Sequence, residues 1–149
     1  MIGGTTFRKR LKDCGFETVV SFSDRRYSQP SKAWVEKFGD WVSKHQPSKF
    51  APDSFDCDDF ARWARFRASM TLIKNPALVA KESTHTFIEA WVYIKAGRKL
   101  NDVAGGQTHA TNLVLASDDK FYWFEPQNGR ITSFNKAKAS IEKLVIAFP

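Results

Sequence analysis

Three residues whose side chains could act together lie far apart in the chain: Cys57, His109 and Glu125. A thiol becomes a working nucleophile when a base takes its proton and a third group orients that base. Cys57 falls at the start of a helix predicted over residues 56–70, where the positive end of the helix dipole favours a thiolate. His109 opens a strand predicted over 109–116, just after Gly105-Gly106. Glu125 ends the next predicted strand, 120–125, before Pro126. The short turn Ser117-Asp118-Asp119 makes those two strands an antiparallel hairpin, which sets His109 and Glu125 at the same end, nearly opposite each other. A helix packed on that sheet could bring the thiol to the other imidazole nitrogen. A lone cysteine on a helix is most often a small buried hydrophobe. It is the joint arrangement that points to chemistry.

The surroundings of Cys57 are acidic. Asp56, Asp58 and Asp59 crowd the thiol, with Asp56 as N-cap and Asp59 three residues on, a capping-box spacing. Their charge opposes a thiolate, so His109 must compensate. A calcium ion, which suits carboxylate oxygens, would also relieve the conflict. Gln46, Gln29, Asn112 and Gln127 are the candidate supporting or oxyanion-binding amides, beside the backbone N–H of Cys57.

The strings Asp56-Cys57-Asp58-Asp59-Phe60-Ala61, His109-Ala110-Thr111-Asn112 and Phe124-Glu125-Pro126-Gln127-Asn128-Gly129 resemble the three blocks of a papain-like cysteine hydrolase. The nearest likeness is to the C-terminal protease domain of the mushroom agglutinin family and its bacterial and phage-borne relatives. The likeness spans residues 53–135. It implies a papain-like fold and a thiol hydrolase or cysteine peptidase acting on an amide bond through an acyl-enzyme. It implies Cys57 as nucleophile, His109 as base and acid, Glu125 as orienter, and calcium as activator. No lectin part is expected within residues 1–149, and no calcium ligand beyond Asp56, Asp58 and Asp59 can be matched.

The elements that must position these groups follow from periodicity. Phe7, Leu11 and Cys14 share one helical face, and residues 16–22 read as a short strand. Ser31 caps a helix in which Trp34, Val35, Phe38, Trp41 and Val42 form an apolar stripe. His45-Gln46-Pro47-Ser48 stops it, and a loop runs through Asp53-Ser54-Phe55. Asn75-Pro76 predicts a short helix to residue 81. The period then changes to two: strands at 87–95, 109–116 and 120–125, a turn at Pro126-Gln127-Asn128-Gly129, its partner at 130–134, and a last strand at 144–148. Helices first and an antiparallel sheet after predict an α+β, papain-like fold in one domain spanning 1–149, N-terminal helices packed on a C-terminal sheet.

Composition bounds the rest. With 149 residues, 42% hydrophobic and 26% charged, the chain is neither disordered nor a disulfide scaffold. Two cysteines exclude a cysteine-rich zinc site, Cys14 reading as structural. No apolar run spans a membrane and no secretory signal opens the chain, so a cytoplasmic protein is expected. His109-Ala110-Thr111 fits a paired His-x-Thr phosphodiesterase motif only once, and Gly105-Gly106 lacks the lysine of a phosphate loop. The net charge is +7, with ten basic and five acidic residues in positions 1–50. The alternative to a peptidase acting on a protein or peptide is therefore a basic binding module. Arg8, Lys9, Arg10, Lys12, Arg25 and Arg26, with Tyr27, would hold nucleic acid or a protein partner, on a catalytically inactive papain-like scaffold if need be.

Overall fold

A computed structural model describes residues 1–20, 26–52, 56–74 and 84–149. In chain order the elements are β1 (Ile2–Gly3), α1 (Gly4–Asp13), β2 (Thr18–Val19), β3 (Arg26–Ser28), α2 (Lys32–Lys44), α3 (Cys57–Ile73), β4 (Thr84–His85) and β5 (Phe87–Ile94). β6 (Lys99–Leu100), β7 (Val103–Ala104), β8 (Gln107–Leu115), β9 (Phe121–Phe124), β10 (Ile131–Ser133), α4 (Phe134–Ala137) and β11 (Ile141–Phe148) follow, with a 3-10 turn at Lys138–Ser140. The short helix expected at Asn75-Pro76, the loop Asp53-Ser54-Phe55, the end of the 16–22 strand and Arg25 lie outside the described residues.

The main sheet has six strands in the order β10-β9-β8-β5-β11-β2. Its centre is the long antiparallel pair β5–β8, with Val92 opposite His109 and Glu89 opposite Asn112. β5 and β8 are almost wholly buried, because both faces of the sheet are covered. On one face Phe7 and Leu11 of α1 pack with Ile88, Val92, Leu113 and Trp123. On the other, Val35, Phe38 and Val42 of α2 and Ala64 and Ala68 of α3 pack with Phe87, Val114 and Phe124.

Two features correct the expected arrangement of N-terminal helices on a C-terminal antiparallel sheet. Helices lie on both faces, and N-terminal residues supply strands. β2 joins the main sheet parallel to β11, while β1, β3 and β4 form a second sheet in which β3 and β4 are parallel. The sheets are mixed because short strands of two or three residues pair with whatever edge the packed helices bring near.

Local sequence explains the site-bearing elements. Ser31 caps α2, its Oγ accepting from the Trp34 N–H at 3.1 Å. A capping box of Asp56 and Asp59 starts α3, the Asp59 carboxylate accepting from the Asp56 N–H at 3.3 Å. Ala61, Ala64 and Ala68 are fully buried, and their small size lets α3 lie close on the sheet. Enlarging Ala64 to Leu there would overpack by about 1–3 kcal/mol. The 126–129 turn is held against α2 by a backbone approach that only glycine permits: a Cβ on Gly39 would sit 2.3 Å from the Gly129 carbonyl oxygen, and Gly129 itself has φ +73°.

Candidate functional site

His109 is 3% exposed and Glu125 fully buried. Register explains why they meet. β8 and β9 pair Asn112 with Phe124 and Leu113 with Trp123, so the strands' far ends bring His109 beside the residue that follows Phe124. The His109 Nε2 lies 2.7 Å from the Glu125 carboxylate. The ring's other side-chain partner is the Cys57 thiol, at the first turn of α3. Burial pulls the His109 imidazole towards its neutral form. The hydrogen bonds and charges of Cys57 and Glu125 outweigh it and hold the ring up to about 9, against an ordinary 6.5. The structure thus brings together the three residues singled out by type and spacing.

Glu125 is braced from several sides. Its carboxylate accepts from the Gln127 backbone N–H at 3.1 Å, and the Thr111 hydroxyl beside it donates to the Phe124 carbonyl at 2.8 Å. Its carbonyl accepts from the Gly129 N–H at 2.7 Å, closing the turn. The supporting amides act on backbone. Gln46 Nε2 donates to Val42 and Pro126 carbonyls at 2.8 and 2.9 Å, and Gln29 donates to the Ala116 carbonyl at 3.2 Å. Gln46 thus spends both amide hydrogens tying the end of α2 to the turn that follows Glu125. Asn112 is likewise spent, on carbonyls of α3 and β5.

The acidic first turn of α3 has partners of its own. Asp56, Asp58 and Asp59 offer carboxylate oxygens within 4.8 Å of one another. A side-chain hydrogen bond between Asp56 and Asp58 lowers the first group's affinity for a proton and raises the second's. Asp58 also pairs with Arg62 at 2.5 Å, and one oxygen of Asp56 has no hydrogen-bond partner. These donors are of the type calcium takes, though capping and the Arg62 pair already occupy much of them.

Two further groups escaped sequence reasoning. Glu89, 6% exposed, accepts from the Trp91 indole N–H at 2.8 Å and faces Arg62 at 3.6 Å. A carboxylate inside the apolar run of residues 87–94 was its available signal. His85 has its Nε2 2.5 Å from the Ser69 hydroxyl of α3. Ser69 donates to the Arg65 carbonyl and the Phe87 N–H donates to His85 Nδ1, so the ring is a neutral Nε2–H donor. Burial first, then the charge of Arg65, pushes it down to about 4.

In the basic N-terminal third, the aromatic residue expected to meet a base is buried. Tyr27 is 3% exposed and packs on Phe7 with ring centroids 4.9 Å apart, so it cannot stack on a base. Lys9 pairs with Asp13, and Arg10 with Asp119. Among the described residues no helix is long and apolar enough to cross a membrane.

No protein-family model matches the chain, and no curated protein does. Solved structures do. One is of Polyporus squamosus lectin bound to the human-type influenza-binding epitope Neu5Acα2-6Galβ1-4GlcNAc (TM-score 0.72, 17% identity), over 99% of this chain and 49% of that one. Another is the PSL1a–E64 complex (TM-score 0.73, 16% identity), over 99% of this chain and 51% of that one. This chain thus spans about half the length of the structures it resembles. At such identities the likeness carries the fold alone. The identification as a papain-like cysteine peptidase is corrected: one of the structures that share this fold is named for a lectin. The expected peptide substrate and nucleic-acid partner are corrected with it, the named ligand being a saccharide. The physical reason is that three short blocks specify which side chains meet; they do not specify a reaction.

Proposed function

We propose that the chain is a ligand-binding domain whose working centre is the Cys57 thiol, paired with His109 and oriented by Glu125, and that it holds an electrophilic ligand through the Cys57 sulfur. The observation that supports this most directly is the buried His109 between the thiol and a carboxylate 2.7 Å away. In the capture step the sulfur forms a bond to the electrophilic carbon, that carbon's bond to its leaving atom breaks with the electron pair going to the leaving atom, and the thiol proton is released to solvent beside the protonated His109. The Glu125 carboxylate stabilises that imidazolium. Cys14 is the internal contrast: half-buried at the end of α1, its thiol is pushed up by burial, and no imidazole partners it.

The test is limiting alkylation with iodoacetamide from about pH 5 to 9, a span around the ordinary thiol value of about 8.5, with separate rates for the two cysteines by peptide mapping. Cys57 is expected to outpace Cys14 by at least roughly 100-fold near pH 6, the lower end of what a positioned base contributes. His109→Ala should abolish the difference. Intact mass after incubation with E64 extends the test, a single adduct on Cys57 being expected. Equal rates at both cysteines would sink the reading.

A second reading is favoured by the saccharide bound in one of the similar structures. In it this domain binds an acidic glycan. Titration with Neu5Acα2-6Galβ1-4GlcNAc discriminates the two: glycan binding that survives Cys57→Ala belongs to the second reading, and its absence removes it. Calcium, as proposed from Asp56, Asp58 and Asp59, would sit beside the thiol centre and serve to neutralise the carboxylates.

A further inference from the structure

We infer that Asn112 is the positioning residue that sets Cys57 against His109. The inference rests on the thiol-centre reading above. Cys57 belongs to α3 and His109 to β8, so their meeting depends on how the helix docks on that strand. The helix face that docks is nearly all small and apolar: Ala61, Ala64, Ala68 and Leu72 are fully buried. Such a face slides readily, because alanines offer little to interlock.

Asn112 is the polar pin in this interface. It lies three residues beyond His109 on β8 and is fully buried. Its Nδ2 donates to the Ala61 carbonyl of α3 at 3.0 Å and to the Ile88 carbonyl of β5 at 3.1 Å. Ala61 lies four residues after Cys57, about one turn along the helix. One side chain therefore ties the thiol's helix, the imidazole's strand and the neighbouring strand together. The amide orientation is forced, since reversing it would set an oxygen against two carbonyl oxygens. With both hydrogens spent, Oδ1 is left buried and unpartnered. A residue kept only for packing at this place would be apolar. An asparagine that strands one of its own atoms is doing something a leucine would not, which is fixing the height of α3 on the sheet.

The experiment compares Asn112→Leu, close in volume with no donors, and Asn112→Ser, smaller with one donor, with Leu72→Ala. Leu72 is buried at the other end of α3, away from the thiol, so its truncation supplies a stability loss without touching the pin. Circular dichroism and thermal melts establish folding. The readout is the ratio of Cys57 to Cys14 alkylation across pH 5 to 9. The ratio is expected to fall at least about tenfold in Asn112→Leu, and less in Asn112→Ser. The pH profile of Cys57 should move towards that of Cys14. Leu72→Ala should leave both unchanged. An unchanged ratio in folded Asn112→Leu and Asn112→Ser, or an equal fall in Leu72→Ala, overturns the inference while leaving the thiol centre standing. A wild-type ratio near one overturns both.

Discussion

His85 and His109 are two versions of one arrangement. Each imidazole sits on a strand, each is buried, at 5% and 3% exposure, and each meets a side chain of α3 that could be a nucleophile. Those side chains, Ser69 and Cys57, stand twelve residues apart, about 18 Å along the helix. The rings nevertheless go opposite ways, His85 down to about 4 and His109 up to about 9. The difference lies behind the ring. His109 has a carboxylate on its second nitrogen; His85 accepts a backbone N–H there and feels the Arg65 charge. A nucleophile beside a histidine is therefore not enough to make a proton-accepting pair. The third group decides.

The largest expected effect is on stability against pH, where the two rings pull in opposite directions. Below pH 6.5 and down to about 4, the unfolded chain carries a proton on His85 that the folded chain does not. Stability from this group is full above about 6.5 and is lost as pH falls through that window, by up to about 3 kcal/mol. Between 6.5 and about 9 the folded chain keeps a proton on His109 that the unfolded chain has released. That contribution is full below 6.5 and is lost as pH rises, to a similar order. Melts of the wild type should show a maximum near neutral pH. His85→Asn should flatten the acid limb and His109→Asn the alkaline limb. A wild-type curve without limbs would show that both rings titrate as in the unfolded chain.

Next comes the group behind the ring. Glu125→Gln keeps shape and most hydrogen bonds but removes the charge. His109 should titrate well below its present value by NMR, and Cys57 alkylation near pH 6 should fall by roughly 100-fold, the scale of losing a well-poised base. A rate within threefold of wild type would mean that the helix start alone activates the thiol.

A smaller effect tests the same idea from the other side. Ser69→Cys places a thiol beside a buried histidine that lacks a carboxylate. It should alkylate no faster than Cys14, and at least about tenfold slower than Cys57 at pH 6. Fast alkylation of the new thiol would show that any cysteine–histidine contact on α3 is reactive here, and the contrast between the rings would lose its meaning.

How much of this could be read from the residues alone divides along physical lines. The hairpin of β8, β9 and β10 was legible because period-two patterning and Asn128-Gly129 are local signals. α2 was legible from its stripe and its Ser31 cap. The hairpin put His109 and Glu125 at the same end, as diagonal neighbours, and the capping box put Cys57 at a helix start. β1, β3 and β4 were not legible as a second sheet, since strands of two or three residues have no period and exist only through their partners; β2 lies within the strand expected over 16–22, but its parallel pairing with β11 was not legible. The covering of the sheet on both faces was present in the apolar run of β5, broken only by Glu89, but a run buried on two faces looks like an ordinary strand until the second layer is placed. Gln46 and Asn112 were visible as polar residues near the right blocks. Their roles depend on carbonyls 80 and 51 positions away, which no local pattern specifies. The peptidase identification failed for a related reason: the residues that meet were local to three blocks, and what the fold is used for was not.

The smallest expected effect concerns calcium. The carboxylates of Asp56, Asp58 and Asp59 lie close enough to share one ion, and Asp58 is already raised by its hydrogen bond with Asp56. Yet Asp56 and Asp59 are engaged in the capping box and Asp58 pairs with Arg62. An ion would have to replace those contacts, so binding should be weak. Calcium at about 1 mM is expected to raise stability by less than about 1 kcal/mol, as for a ligand near or below its dissociation constant. The Cys57 alkylation rate should stay within about twofold. Melts and alkylation with calcium and with chelator check both. A gain above about 3 kcal/mol, or alkylation that needs the ion, would move the source of reactivity from the carboxylate behind His109 to the charges in front of Cys57, and the two histidines would then differ for a reason that lies on α3.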